Sequence, residues 1–163
     1  MKNVIKCFAA TLAALIFSLS QSSAEHNIID KEKYPELYCL ALNIYFEARG
    51  ESLKGQFAVA DVTLNRVESS EFPDTICQVV YQPSQFSWTN SVSNPRNPRL
   101  GEKNAWFDAQ IFAIEIFRWN IMRGITDGAT YFHASYSRPY WRNIFEKTKK
   151  IGSHLFYIDP TRN

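Results

Sequence analysis

Residues 44–67, IYFEARGESLKGQFAVADVTLNRV, set two carboxylates, Glu47 and Glu51, around Arg49-Gly50 and directly after the aromatic pair Tyr45-Phe46. A carboxyl walled by aromatic side chains loses hydration, and because burial disfavours the charged form its pKa rises. Such a Glu keeps its proton near neutral pH and can hand it to a leaving oxygen. A place near a helix C-terminus disfavours the anion further. Glu51 lies beyond Gly50 and is expected at the start of the next helix, where an anion meets a favourable dipole. Arg49 can pair with either carboxylate. On spacing alone the pattern fits a charged interhelical turn better than a catalytic centre.

Helices on both sides must position these groups. Pro35 suits a first helical turn, and Leu37, Leu40, Ala41, Ile44 and Tyr45 recur at three- and four-residue steps, which predicts a helix over 35–48. Gly50 is expected to stop it in the left-handed conformation. Ser52 is placed to cap a second helix, whose apolar Phe57, Val59, Ala60, Val62 and Val67 carry it to about Glu68. A turn at 72–75 leads into a short helix over 76–81, closed by Pro83. Residues 84–101, SQFSWTNSVSNPRNPRLG, read as a loop long enough to line a cleft. A helix over 103–123, apolar around much of its circumference, is expected to run through the core. ATYFHA (129–134) and HLFYID (154–159) are β-prone, follow Gly128 and Gly152, and are expected to pair antiparallel, with the aromatic turn SRPYWRN between them.

The chain has 163 residues, 45% hydrophobic and 21% charged, which suits one globular domain. Lys2 and Lys6 precede an apolar run, residues 7–20, and the small residues Ser22-Ser23-Ala24 follow it. The run falls short of the roughly 20 residues that span a bilayer, so residues 1–24 read as a secretory signal; a retained N-terminal anchor is the alternative. Residues 25–34 form a loose polar lead-in, and 35–163 the domain: α+β, mostly helical, with a small C-terminal antiparallel sheet. Removing Lys2 and Lys6 from the 18 basic residues leaves 16 against 16 acidic, a balance that gives no reason to expect nucleic acid as a partner. Export favours a disulfide between Cys39 and Cys77 over two separate thiols. No Cys/His spacing suggests a metal.

The chain resembles the SleB family of cell-wall hydrolases, named for the spore-cortex-lytic enzymes. The resemblance runs through LALNIYFEARGESLKGQFAVADVTLNRV and FPDTICQVVYQPSQFSW, then returns at ATYFHA, PYW and KKIGSHLFY. It implies a lysozyme-like, stand-alone catalytic module that cuts peptidoglycan at the MurNAc–GlcNAc bond, with Glu47 as general acid/base and no cofactor. Lytic transglycosylases of this family use no protein nucleophile; a single essential carboxylate agrees with that route, because the usual hydrolytic routes place two around the bond. A hydrolytic muramidase and a non-catalytic peptidoglycan-binding module are the alternatives. A metal-dependent peptidase is disfavoured, since His26, His133 and His154 form no HExxH pattern.

Around Glu47 the resemblance and residue chemistry together suggest Tyr45, Gln85, Phe86, Ser87, Tyr131, His133 and Trp141 as substrate-binding residues, with Phe86 equally suited to plugging the core. Gly50, Glu51, Cys39 and Cys77 are expected to be structural, as are Asp61, buried and hydrogen-bonded in the second helix, and His154. Asn65 and Arg66 are expected to brace that helix rather than touch substrate. The expected partner is the glycan strand, met by a monomer at the periplasm or cell surface, with any regulatory partner unidentified.

Overall fold

A run of nine consecutive buried residues, Leu37 through Tyr45, makes the first helix the centre of the molecule. In the computed structural model, which describes residues 27–161, α1 (Pro35–Ala48) packs against α2 (Leu53–Glu68), α3 (Ile76–Val80) and α5 (Lys103–Trp119). A helix apolar all round has to be enclosed by other elements. Pro at the first turn needs no backbone donor, and Ser52 caps α2 by accepting from Gly55 N, both as expected. The expected secretory signal lies outside the described residues. Among those described, no helix is long and apolar enough to cross a membrane.

Several expectations change. The lead-in is pinned from residue 27 onward: the fully buried Gln110 of α5 accepts from Ile28 N and Ile29 N at 2.8 and 3.0 Å, and the Ile29 side chain is buried. Gly50 does not adopt a left-handed φ, and a Cβ there would meet nothing within 4 Å, so α1 ends for other reasons than glycine's freedom. The fifth helix stops at Trp119, where Asn120 takes the left-handed conformation (φ 54°) and caps it. Its last turn leaves Phe117 and Trp119 exposed, so α1 and not α5 is the core helix. The long loop contains a further short helix, α4 (Trp88–Ser91).

The sheet has three strands in the order β1–β3–β2, all antiparallel: β1 (Tyr131–Ala134), β2 (Glu146–Ile151) and β3 (His154–Ile158). His133 pairs with Leu155 and Tyr131 with Tyr157. The outer strand β2, EKTKKI, was not expected; its lysines protect an edge that would otherwise template further pairing. Cys39 of α1 and Cys77 of α3 form a disulfide with Cα atoms 5.3 Å apart, fixing α3 to the central helix. Closing a loop of 38 residues stabilises the fold by about 3–4 kcal/mol.

Candidate active site

Glu47 occupies the last turn of α1 and opens onto a cavity of about 480 Å³. One turn earlier the fully buried Asn43 donates to Thr63 of α2 at 3.0 Å and accepts from Trp88 Nε1 at 3.0 Å. That pair of bonds satisfies a buried amide and locks α4 onto α1. Trp88 then stacks on Phe46, ring centroids 4.5 Å apart and planes 14° from parallel, forming the wall beside the carboxyl. Of the expected Tyr45–Phe46 wall, Phe46 faces the cavity, joined by Trp88 in place of Tyr45. The Tyr45 ring turns inward: it is 3% exposed, its hydroxyl accepts from Glu102 N, and it packs edge-on against Trp106.

Burial pushes the Glu47 carboxyl up to about 7, with the Arg66 charge pulling in the opposite direction. The α1 C-terminus adds to the cost of an anion there. Among the described residues Glu47 is the only carboxylate lining this cavity. Two smaller concavities, about 220 and 320 Å³, are not lined by Glu47. A cavity of about 520 Å³, walled by Tyr131, Tyr140, Trp141 and Phe145, continues the cleft and shares Arg66, Gln85 and Phe132 with it.

The structure brings Gln85, Ser87 and His133 to the Glu47 cavity, and Tyr131 and Trp141 to its continuation. The Trp141 ring packs against Tyr131, His133 and Tyr157. His133 Nδ1 lies 2.9 Å from the Ala134 carbonyl, which can only accept, so that nitrogen carries a proton, and Nε2 lies 3.1 Å from the Tyr157 hydroxyl. Phe86 is 1% exposed and supports the cleft from beneath, with the Arg66 guanidinium over its ring; it fills the core and offers no face to a ligand.

Glu51 is held differently from Glu47. Burial raises its pKa, but the Ser153 hydroxyl and amide and the nearby His154 outweigh that and keep the carboxyl below the ordinary range. The Ser153 amide donates at 3.1 Å, and the hydroxyl donates to the other oxygen. The bonds tie the α1–α2 turn to the β2–β3 hairpin. There Gly152 has φ +56°, and a Cβ would collide with the Glu51 carboxylate, so the turn needs glycine on both counts. Asp61, 0% exposed, accepts from Gly124 N, Thr126 N, the Thr126 hydroxyl and Arg123, a structural hub as expected. Asn65 braces the same loop through Thr126 and the Ala129 carbonyl.

Two residues read as purely structural stand in the cleft wall. His154 lines the Glu47 cavity, and burial lowers its pKa, with Glu51 opposing and His133 reinforcing the shift. Arg66 donates from Nε to the Thr130 carbonyl at 2.7 Å yet lines both halves of the cleft. A signal was present: Arg66 falls on the stripe of Val59 and Val62, and a charge on a buried stripe needs a purpose beyond solubility.

The sequence profile of the cell wall hydrolase family matches residues 50–157, opening just past Glu47, so the reading of that residue rests on geometry and the wider resemblance. The spore cortex-lytic enzyme of Bacillus cereus is 32% identical over 121 residues, covering 74% of this chain and 43% of the relative. That of Bacillus subtilis strain 168 is 30% identical over 121 residues, covering 74% and 37%. The chain therefore spans less than half the length of these curated relatives. The crystal structure of the catalytic domain of Bacillus cereus SleB superposes with TM-score 0.59 at 31% identity, covering 76% of this chain and 89% of that one. The catalytic domain of the germination-specific lytic transglycosylase SleB from Bacillus anthracis gives 0.61 at 29%, covering 81% and 98%. By profile, relatives and fold, the chain belongs to the SleB-type cell wall hydrolase family.

Proposed function

We propose that the chain is an exported peptidoglycan-cleaving glycosidase, acting as a lytic transglycosylase on the MurNAc–GlcNAc bond with Glu47 as general acid and then base. The observation that carries this is Glu47 itself: a carboxyl pushed up to about 7, alone among carboxylates in its cavity among the described residues. Protonated Glu47 gives its proton to the leaving glycosidic oxygen as the bond to the muramyl anomeric carbon breaks. The resulting carboxylate takes the proton of the muramyl C6 hydroxyl while that oxygen closes onto the anomeric carbon. The proton count balances and no water is consumed. Hydrolysis by the usual two-carboxylate routes would want a second acid across the bond. Glu51, committed to Ser153, and Asp61, saturated by four donors, are poorly suited to supply it, and Asp159, in the continuation of the cleft, is engaged by the amide and hydroxyl of Thr161.

Gln85 and Ser87 supply amide and hydroxyl groups suited to N-acetyl and hydroxyl partners, while Tyr131 and Trp141 offer aromatic surface to sugar rings. The basic, then apolar N-terminus supports export to the periplasm or cell surface, and the Cys39–Cys77 disulfide suits an oxidising compartment. Clearing of purified cell walls tests the reading: Glu47→Gln is expected to lower the rate at least about 100-fold. Equal clearing by both proteins would remove Glu47 from the mechanism, and no clearing by wild type would favour a binding module.

A further inference from the structure

Arg66 is the only Lys or Arg among the described residues lining the Glu47 cavity. It is 3% exposed, and its guanidinium carbon sits 5.0, 5.2 and 5.8 Å from the ring centres of Phe86, Phe72 and Tyr131. One hydrogen bond, from Nε to the Thr130 carbonyl, fixes it, while Nη1 is buried without a hydrogen-bond partner. The three rings offset part of the cost of burying the guanidinium, but Nη1 remains unsatisfied, and bracing one carbonyl requires no charge. Facing Glu47 around the cavity are Arg66 from α2, His133 from β1, Tyr136 from the loop after it and His154 from β3.

We propose that Arg66 is a positioning residue of this centre: a caged, immobile cation that stabilises the Glu47 carboxylate left by proton donation without pairing with it, so that one carboxyl can serve as acid and then as base, an inference that rests on the role proposed for Glu47. A direct ion pair would keep the carboxyl ionised and abolish the acid. Without the cation the carboxylate would be less stable, so the carboxyl would titrate higher and serve less well as the base. The hydrogen bond of Arg66 goes to Thr130, which holds the charge near Glu47 without committing it. In agreement, burial and Arg66 act on Glu47 in opposite directions, and Arg66, lowered by burial to about 10, stays protonated at neutral pH.

The test is an NMR titration of the Glu47 side-chain carboxyl carbon, assigned by its loss in Glu47→Gln, in wild type, Arg66→Lys and Arg66→Gln. Arg66→Gln is expected to move the Glu47 midpoint up by about one pH unit or more, and Arg66→Lys to leave it within about half a unit. If both variants melt earlier and neither moves the midpoint, Arg66 is a brace and the proposal fails. Wild type provides a readout that needs no Arg66 variant to fold: the Arg66 Nε resonance should shift with the Glu47 midpoint and lose that shift in Glu47→Gln. A flat Arg66 resonance in wild type overturns the proposal. These readings require no turnover, so they stand apart from any failure of the wall-clearing assay.

Discussion

Glu47 and Glu51 lie in one short stretch of chain, and the fold treats them in opposite ways. Glu47, at the end of α1, faces an aromatic wall and an unpaired cation, and its carboxyl is pushed up to about 7. Glu51, in the turn to α2, receives two hydrogen bonds from Ser153 and is held below its usual range. Both feel burial; what separates them is whether donors meet the charged form. Asp61 extends the contrast, since it is the most buried of the three yet saturated with donors. Donor count distinguishes a structural carboxylate from one available for proton transfer.

The comparison breaks most visibly at Asp61. Asp61→Ala is expected to cost about 3–5 kcal/mol, because it strands buried donors of the 123–126 loop; chemical denaturation measures it, and a loss under 1 kcal/mol would mean the hub is not structural. Glu47→Gln should do the reverse. Between 4.5 and about 7 the folded protein keeps a proton that the unfolded chain has released, so wild-type stability falls as pH rises through that window. The variant should match wild type at pH 4 and exceed it at pH 8 by up to about 2 kcal/mol, discounted for the open side of the cleft. Equal melting at both pH values would refute an unpaired, buried carboxyl.

Glu51→Gln has the other sign. A lowered carboxyl contributes stability above its unfolded value of 4.5, lost as pH falls through the folded value. Denaturation at pH 7 should show a loss of about 1 kcal/mol that shrinks in acid; a constant difference would assign it to packing. The smallest effect is expected at Arg49, whose exposed bond to Glu102 spans 2.9 Å: Arg49→Ala should cost under about 0.5 kcal/mol by the same measurement.

The parts of the fold governed by local rules are legible in the sequence. Pro35 and Ser52 mark helix starts by satisfying or avoiding orphan donors, and the periodicity of α1 and α2 follows from one-sided or complete burial. Glu47 and the Phe46 wall are recognisable as a candidate centre from the sequence, whereas Tyr45 does not join that wall. Tyr45 shares the stripe of Leu37 and Ala41 and so faces the core, which leaves Phe46 to the cleft. Strand β2 escaped because EKTKKI lacks an apolar alternation; its pairing with β3 is a tertiary effect. The end of α5 was hidden by the apolar Ile121 and Met122, although Asn120 is a residue suited to a left-handed cap. Arg66 reads as a helix brace until Thr130, Phe86 and Tyr131, distant in the chain, are placed around it.

The most direct test of the proton-transfer role of Glu47 is mass spectrometry of muropeptides released from purified peptidoglycan by wild type and by Glu47→Gln. The account predicts anhydromuramyl ends from wild type, one water lighter than reducing ends, and none above background from the variant. Anhydro products released equally by Glu47→Gln would contradict it.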